Sequence, residues 1–294
     1  MLPRDDKSYL NGCLYLLGII CCFIFLAGCQ EPPRQLKPVV LVSLPPLANY
    51  LAEIFGSEYD FVSLLTANQG HEVFEPNLAT VNNLAAAKVL VILGHENLAA
   101  EKKWLEYTQA QNPSIKVVNN IGEFASLNSE DAHLWLAPLN MLKLVRYSTA
   151  ELIKIFPEKQ SEIEKRLNTV VAGIKSLDLL TRERLKNLKL KSFIVFHPAW
   201  GYFAEQYGLK QIPIEEHGKE PSIKYLDKLI ETSRAEGLRT VFIEPQIPVE
   251  NARQIAQKLG TSAKVGSVQV IDPLAPDYAK NIELMTILLT QAAS

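Results

Sequence analysis

The chain has 294 residues, of which 48% are hydrophobic and 21% are charged, so it is long and apolar enough for two domains of ordinary size. Its formal net charge is −2 and no basic run follows the first few residues, which gives no basis for nucleic-acid binding. The sequence contains no low-complexity tract, and its prolines are spread along the chain instead of clustering into a linker.

The N-terminal segment has the pattern of an export signal. Arg4 and Lys7 precede an apolar run over residues 14–28 that is short for a membrane span. The run ends in Leu-Ala-Gly before Cys29, which resembles the lipobox of bacterial lipoproteins. We therefore expect residues 1–28 to be removed and acylated Cys29 to anchor the protein to membrane lipid. An ordinary signal peptide or anchor with a chance cysteine is the alternative.

Cysteine usage restricts the chemistry of the mature chain. Cys13, Cys21 and Cys22 all lie in the segment that we expect to be removed. Only Cys29 would remain, so the mature chain could form no intramolecular disulfide and would have no free thiolate for catalysis or metal binding.

Short apolar runs alternate with helical patterns along the mature chain. Eight runs predict buried parallel strands: 39–44, 61–65, 88–93, 115–118, 193–196, 212–214, 240–244 and 268–271. Helical patterns lie between or after them, at 45–55, 76–87, 96–109, 199–207, 221–236, 249–259 and 277–292. This alternation predicts an α/β fold with two lobes, whose mostly parallel sheets are covered on both faces.

A long amphipathic segment separates the two sets of strands. Between Pro157 and Leu190 apolar residues recur largely at three- and four-residue steps, which is typical of one helix. At ~1.5 Å per residue, about 33 residues would extend roughly 50 Å. We interpret residues 157–190 as a rigid connecting helix between an N-terminal lobe, 29–156, and a C-terminal lobe, 191–294. Two consecutive helices in one large domain are the alternative.

The predicted loops after strands contain three of the five histidines. His71 lies in the segment NQGHEVFEP, His133 in EDAHLWLAP, and His197 directly follows the strand FIVF, while Asp272 ends the run VQVI. Loops at the carboxyl ends of parallel strands converge on one crevice, which the two lobes could share. Two imidazoles, one carboxylate and a fourth histidine or glutamate, His71 or Glu72, form a suitable set for a divalent transition metal. Four protein ligands leave little room for a reactive water, so such a site would carry metal.

These segments resemble the cluster A-I solute-binding lipoproteins of zinc and manganese ABC transporters. AHLWLAP is similar to the family's D-P-H-x-W-L-D-P, and FHPAWGYFAEQYGL to its H-x-A-F-x-Y-F-A-x-x-Y-G-L. EEHGKEPS is similar to G-x-E-P-S, and VFIEPQ and VIDPLAP to F-x-E-P-Q and L-D-P-L. The resemblance implies two α/β lobes joined by one long helix, a metal ion buried between them, and delivery of that ion to a membrane permease. It implies His133, His197 and Asp272 as metal ligands.

The first ligand is the point at which this sequence departs from the family. The usual pattern is P-H-x-(Y/F)-E-P, and aligning its last three positions with Phe74-Glu75-Pro76 places Glu72 at the ligand position and His71 before it. Some relatives of this kind have glutamate there. Adjacent side chains on an extended loop point in opposite directions, so we expect Glu72 to bind the ion. A one-residue bulge would bring His71 to the ion instead.

Three other polar residues are candidates for hydrogen bonding around the ion. His95 begins a predicted helix and would cap it or line the cleft. His217 lies in a loop beside Gly218, where it would be exposed or would contact a ligand. Glu244 follows a strand but precedes Pro245, so we expect its carboxylate to hydrogen-bond near the site instead of binding metal.

The sequence therefore predicts a non-enzymatic, monomeric lipoprotein on the extracytoplasmic face of a bacterial membrane, which would be the periplasmic side in a Gram-negative cell. It would bind Zn²⁺, or alternatively Mn²⁺, and pass it to an ABC permease; the affinity order favours zinc. The chain lacks the His-rich acidic loop that zinc-specific members often have, which weakens the case for zinc specificity. The alternatives are a secreted metal-dependent hydrolase, with Glu72 or Glu244 as base, and an adhesin-type surface lipoprotein.

Overall fold

The computed structural model describes residues 37–67, 78–127, 130–215, 221–260 and 266–293. The predicted signal segment and Cys29 lie outside these residues. None of the helices in the described part combines the length and the apolar composition needed to cross a bilayer.

Two four-stranded parallel sheets form the framework of the molecule. The strands of the first sheet are β1 Val39–Val42, β2 Asp60–Ser63, β3 Ala87–Ile92 and β4 Lys116–Asn119, in the spatial order β2-β1-β3-β4. The strands of the second sheet are β5 Ser192–Val195, β6 Lys210–Pro213, β7 Thr240–Ile243 and β8 Ser267–Val270, in the order β6-β5-β7-β8. The two sheets thus repeat one topology, and the predicted parallel α/β class is confirmed.

Helices connect the strands and cover the sheets. In chain order, helices α1 to α9 are Pro45–Phe55, Leu78–Ala86, Ala99–Gln111, Pro138–Ile155, Gln160–Leu185, Gly201–Gln206, Ile223–Ala235, Val249–Leu259 and Tyr278–Ala292. Several ends follow local chemistry. α1 begins at two prolines, which suit the first helical turn, and stops before Gly56, whose φ is 81°. α9 is capped by Asp277, whose carboxylate accepts from the amide of Lys280 at 3.1 Å.

The predicted long helix is present as a single helix, α5, although it is shorter than expected. It has 26 residues, Gln160–Leu185, which correspond to ~39 Å. The first residues of the predicted segment form a turn instead, in which Lys159 adopts a left-handed φ of 61°. After Leu185 the chain turns toward β5. We call the residues before α5 the first half and those after it the second half.

Apolar packing around α5 ties the two halves together. The helix packs against α1 and α4 of the first half and against α9 of the second half. One hydrophobic cluster includes Leu41 of the first sheet, Ile174 of α5 and Phe242 of the second sheet. A separate cluster lies between the second sheet and its helices α7 and α8. The two sheets, whose carboxyl ends lead into the loops with the predicted ligands, therefore share one hydrophobic core that runs through α5.

Candidate metal centre

Two of the predicted metal ligands meet at the junction of the two halves. His133 belongs to the loop between β4 and α4, just before the short 3-10 turn Leu134–Leu136, and is 6% exposed. His197 follows β5 in the second half. Their ring centroids are 5.2 Å apart, with an angle of 75° between the ring planes. The fold therefore brings together two imidazoles that are far apart in the sequence.

A carboxylate orients the first imidazole. Asp131 Oδ1 accepts from the backbone amide of His133 at 2.9 Å and lies 2.6 Å from His133 Nδ1. A carboxylate only accepts hydrogen bonds, so Nδ1–H is the donor and Nε2 is the nitrogen with a lone pair for a metal ion.

The second imidazole has a matching partner. Glu215 Oε2 lies 2.7 Å from His197 Nδ1, and the two side chains are 18% and 13% exposed. Glu215 directly extends the pairing of β6 with β5, because its amide donates to the carbonyl of Phe196 at 3.0 Å. His197 is thus oriented in the same way as His133, with Nδ1–H directed toward a carboxylate.

The turn that contains His197 is held by the side chain of Gln211 on β6. Gln211 Oε1 accepts from the amide of Trp200 at 3.0 Å, and its Nε2 donates to the carbonyl of Pro198 at 3.3 Å. The amide of Ala199 also donates to the carbonyl of His197 at 2.8 Å. These bonds fix the backbone from which the imidazole projects.

Asp272 lies in a loop that is bonded to the His133 segment. Trp135 Nε1, buried in the first half, donates to the carbonyl of Pro273 at 2.8 Å. Asp272 Oδ1 accepts from the amide of Leu274 at 2.9 Å, and the Asp272 carbonyl accepts from Asn281 Nδ2 at 2.8 Å. Both the carboxylate and the backbone carbonyl of Asp272 are therefore hydrogen-bonded, in a loop that contacts the His133 segment.

Glu244 is close enough to Asp272, His197 and Glu215 for all three to affect its pKa. Its side chain is buried, with the residue 4% exposed, and Oε2 accepts from Gln246 Nε2. Burial raises the pKa of Glu244 to about 7; the nearby His197 and the bond from Gln246 oppose this, while Asp272 and Glu215 raise the pKa further. Among the described residues, its Oε1 has no hydrogen-bond partner. A buried carboxylate with two partly buried carboxylates and an imidazole nearby provides an environment that a divalent cation would stabilise.

The other predicted site residues are placed differently. His71, Glu72 and His217 lie outside the described residues. His95 is half-buried and accepts from the amide of Asn97 at 3.2 Å through Nδ1. It lines a cavity of about 330 Å³, together with other residues that include Leu134, the neighbour of His133.

Within the described residues, no group of three or more His, Cys, Asp or Glu side chains is arranged so that it could hold a metal ion. His133, His197 and Asp272 therefore do not form a three-ligand metal site by themselves in this structure, and the full ligand set, which includes residue 71 or 72, stays a prediction.

Sequence reasoning did not identify the residues that orient the two imidazoles. Asp131 could have been found, because it lies two residues before His133 in the same loop. The roles of Glu215 and Gln211 depend on β6 lying beside β5, which no local pattern shows.

The chain is similar to known proteins over most of its length. The model of a protein family described as the periplasmic zinc-uptake complex component A matches residues 40–292. The chain is 24% identical over 276 residues to the high-affinity zinc uptake system protein ZnuA of Bacillus subtilis, covering 85% of this chain and 86% of that protein.

Two further proteins illustrate the extent of the similarity. The chain is 25% identical over 279 residues to the zinc-binding lipoprotein AdcA of Streptococcus pneumoniae; this covers 88% of the chain but only 54% of AdcA, so the chain spans about half the length of that relative. Among solved structures, a crystal structure of ZnuA superposes with a TM-score of 0.80 at 30% identity, covering 88% of this chain and 100% of that one.

Proposed function

Because this chain belongs to the family of the periplasmic zinc-uptake complex component A, we propose that it captures one zinc ion between His133, His197 and Asp272 and passes it to a membrane permease. The chain is a solute-binding protein for zinc or manganese uptake by an ABC transporter, and its family consists of non-enzymatic transport proteins. The predictions of family, fold class and transport function are confirmed, and the hydrolase alternative is set aside.

The observation that carries the proposal is the pair of carboxylate-oriented imidazoles. With Zn–N bonds of ~2.0–2.1 Å and a tetrahedral angle, two imidazoles on one ion have ring centroids roughly 5.2 Å apart. The centroids of His133 and His197 are 5.2 Å apart. Asp131 and Glu215 hold the Nδ1–H groups, which leaves Nε2 of each ring as the nitrogen that binds the ion.

Carboxylates supply the charge that a buried dication needs. Asp272 is proposed as the third ligand; the proposal is supported by the fact that Asp272 and His197 both affect the pKa of Glu244. The proposed fourth ligand is Glu72, with His71 as the alternative if the loop is bulged. Two imidazoles and two carboxylates suit either zinc or manganese, and we propose zinc because it forms the stronger complexes at most sites.

The surrounding organisation is proposed as the sequence predicts it. Residues 29–156 and 191–294 would act as two lobes on either side of the connecting helix, so that the ion lies between them. As a periplasmic component, the protein acts outside the cytoplasm. We propose that residues 1–28 are removed, that acylated Cys29 anchors the protein to lipid, and that it meets the permease as a monomer.

The test is metal content and affinity. The processed protein is purified after expression of the full chain, its bound metal is measured by mass spectrometry, and Zn²⁺ and Mn²⁺ are titrated calorimetrically. We expect one zinc ion per chain and loss of tight binding in His133→Ala and in His197→Ala.

Asp227→Ala, which removes an exposed carboxylate from α7, is the matched control for Asp272→Ala. Wild-type affinity in either histidine variant would remove that residue from the site. Equal effects of the two aspartate variants would remove Asp272.

A further inference from the structure

The side chains that support His133 and His197 approach each other at Gly201, which has no side chain of its own. Gly201 is the first residue of α6 and follows the turn that contains His197. A methyl group on its Cα would lie 2.5 Å from Asp131 Oδ2 and 3.0 Å from Gln211 Nε2. Asp131 belongs to the first half and holds His133, while Gln211 belongs to the second half and holds the His197 turn. We call this meeting point the Gly201 junction.

The Asp131 carboxylate has little freedom to move away from Gly201. Its Oδ1 is bonded both to the amide of His133, at 2.9 Å, and to Nδ1 of the same residue, at 2.6 Å. To reach an ordinary contact of 3.4 Å with a methyl group, Oδ2 would have to retreat by about 0.9 Å. A similar movement of Oδ1 would stretch the bond to Nδ1 beyond the usual limit of ~3.2 Å. A methyl group at position 201 would therefore disturb the orientation of the imidazole.

The backbone of Gly201 does not itself require glycine. Its φ is not positive, unlike that of Gly208 at the other end of the same helix, so alanine fits the local conformation. What alanine does not fit is the approach of the Asp131 carboxylate. The contact across the two halves can therefore be tested separately from backbone strain.

We propose that Gly201 is a positioning residue of the metal site: the absence of a side chain allows the Asp131–His133 pair of the first half to seat against the His197 turn of the second half. The inference rests on the proposed function, because it assumes that both histidines bind the same ion. Gly201 contacts no metal. It determines how closely Asp131 and Gln211 can approach each other, and thereby the distance between the imidazoles of His133 and His197.

The first test compares two glycine-to-alanine variants. Gly201→Ala is expected to weaken zinc binding about 10-fold to 100-fold, as expected when an outer partner of a ligand is displaced. Gly173→Ala is the control, because Gly173 is exposed on α5 and an added methyl group meets no atom within 4 Å. Zinc affinity is measured by competition with a chromophoric chelator, and thermal unfolding of the metal-free protein shows whether each variant is folded. Affinity within twofold of wild type in folded Gly201→Ala would overturn the proposal.

The second test distinguishes positioning from general damage. In an Asp131→Ala background there is no carboxylate to displace and only Gln211 Nε2 remains close to the methyl group, so adding Gly201→Ala should lower zinc affinity much less than it does in the wild type. The double variant has lost the closest contact of the methyl group, and the remaining contact, 3.0 Å from Gln211 Nε2, needs only a small shift of that side chain. It should therefore fold even if Gly201→Ala alone does not. An equal loss of affinity from Gly201→Ala in both backgrounds would overturn the proposal, as would a double variant that fails to fold when Asp131→Ala folds.

A readout without metal completes the design. Nitrogen-15 NMR of the metal-free protein reports which ring nitrogen of His133 carries the proton. We expect protonated Nδ1 in the wild type and in Gly173→Ala, and a redistribution toward Nε2 in Gly201→Ala. An unchanged His133 spectrum in folded Gly201→Ala would contradict the inference. If the wild-type protein binds no zinc, the proposed function fails, whereas the NMR result still reports on the junction.

Discussion

Replacing Glu215 by glutamine is expected to weaken zinc binding without unfolding the protein. The Glu215 carboxylate lies 2.7 Å from His197 Nδ1, and the two side chains are largely buried. Glutamine keeps the length of the side chain and can still accept a hydrogen bond, but it removes the negative charge. The substitution therefore isolates the electrostatic support that the imidazole receives.

The magnitude follows from the strength of such bonds. A hydrogen bond to a charged group contributes about 1.5–3 kcal/mol, roughly twice as much as a neutral one. The charge component is about half of this, and further support is lost because the ligand becomes less basic. We expect a total of roughly 1.4–2.7 kcal/mol, or a 10-fold to 100-fold increase in Kd for zinc.

The assay is a calorimetric titration of wild type, Glu215→Gln and Glu205→Gln. Glu205 is exposed on α6, close to the site in the sequence, and serves as the matched control. Thermal unfolding of each metal-free protein shows that the comparison is between folded states. A Kd for Glu215→Gln within twofold of wild type, or an equal increase for Glu205→Gln, would refute the reasoning that Glu215 supports the ligand.

Four further predictions follow from the described contacts and from the sequence. Glu101→Ala should lower the free energy of unfolding, measured by chemical denaturation, by roughly 2–4 kcal/mol, because the amides of residues 93 and 94 lose their acceptor. Glu106→Ala, which removes an exposed carboxylate from the same helix, is the control and should change this free energy little. Burial raises the pKa of Glu101, so the folded state binds the proton of this carboxyl group more tightly than the unfolded state does. The contribution of Glu101 to stability should therefore fall as the pH rises above 4.5, the ordinary pKa of a glutamate. Fatty-acid labelling should disappear in Cys29→Ala, and equal labelling of this variant would contradict the anchor. Glu72→Ala should lose far more zinc affinity than His71→Ala; the reverse order would show that the loop is bulged.

Much of the fold could be predicted because it depends on local patterns. Runs of β-branched residues in a parallel sheet are apolar throughout, and all eight predicted strands are present within a few residues of their expected bounds. The extent of α5 was overestimated because periodicity alone does not show where a turn begins. The helix begins only after Lys159, whose φ is left-handed, and it ends at Leu185, where the chain turns toward β5.

The site was only partly predictable for a different reason. His133 and His197 could be identified because each lies in a loop at the carboxyl end of a strand and within a family motif. Glu215 could not, because its contact with His197 depends on how the end of β6 lies beside the end of β5 in the folded sheet, which no local pattern in the sequence shows. Gly201 was missed because its importance lies in the approach of Asp131 from the other half. Such contacts depend on the assembled fold and leave no periodic signal in the sequence.

The most direct test of the central claim is a crystal structure of the zinc-loaded processed protein with anomalous diffraction at the zinc edge. We predict one strong anomalous peak at ~2.0–2.1 Å from Nε2 of both His133 and His197, with Asp131 and Glu215 still bonded to the Nδ1 atoms. A peak bound to only one of the two histidines, or to Nδ1 of either ring, would contradict the account.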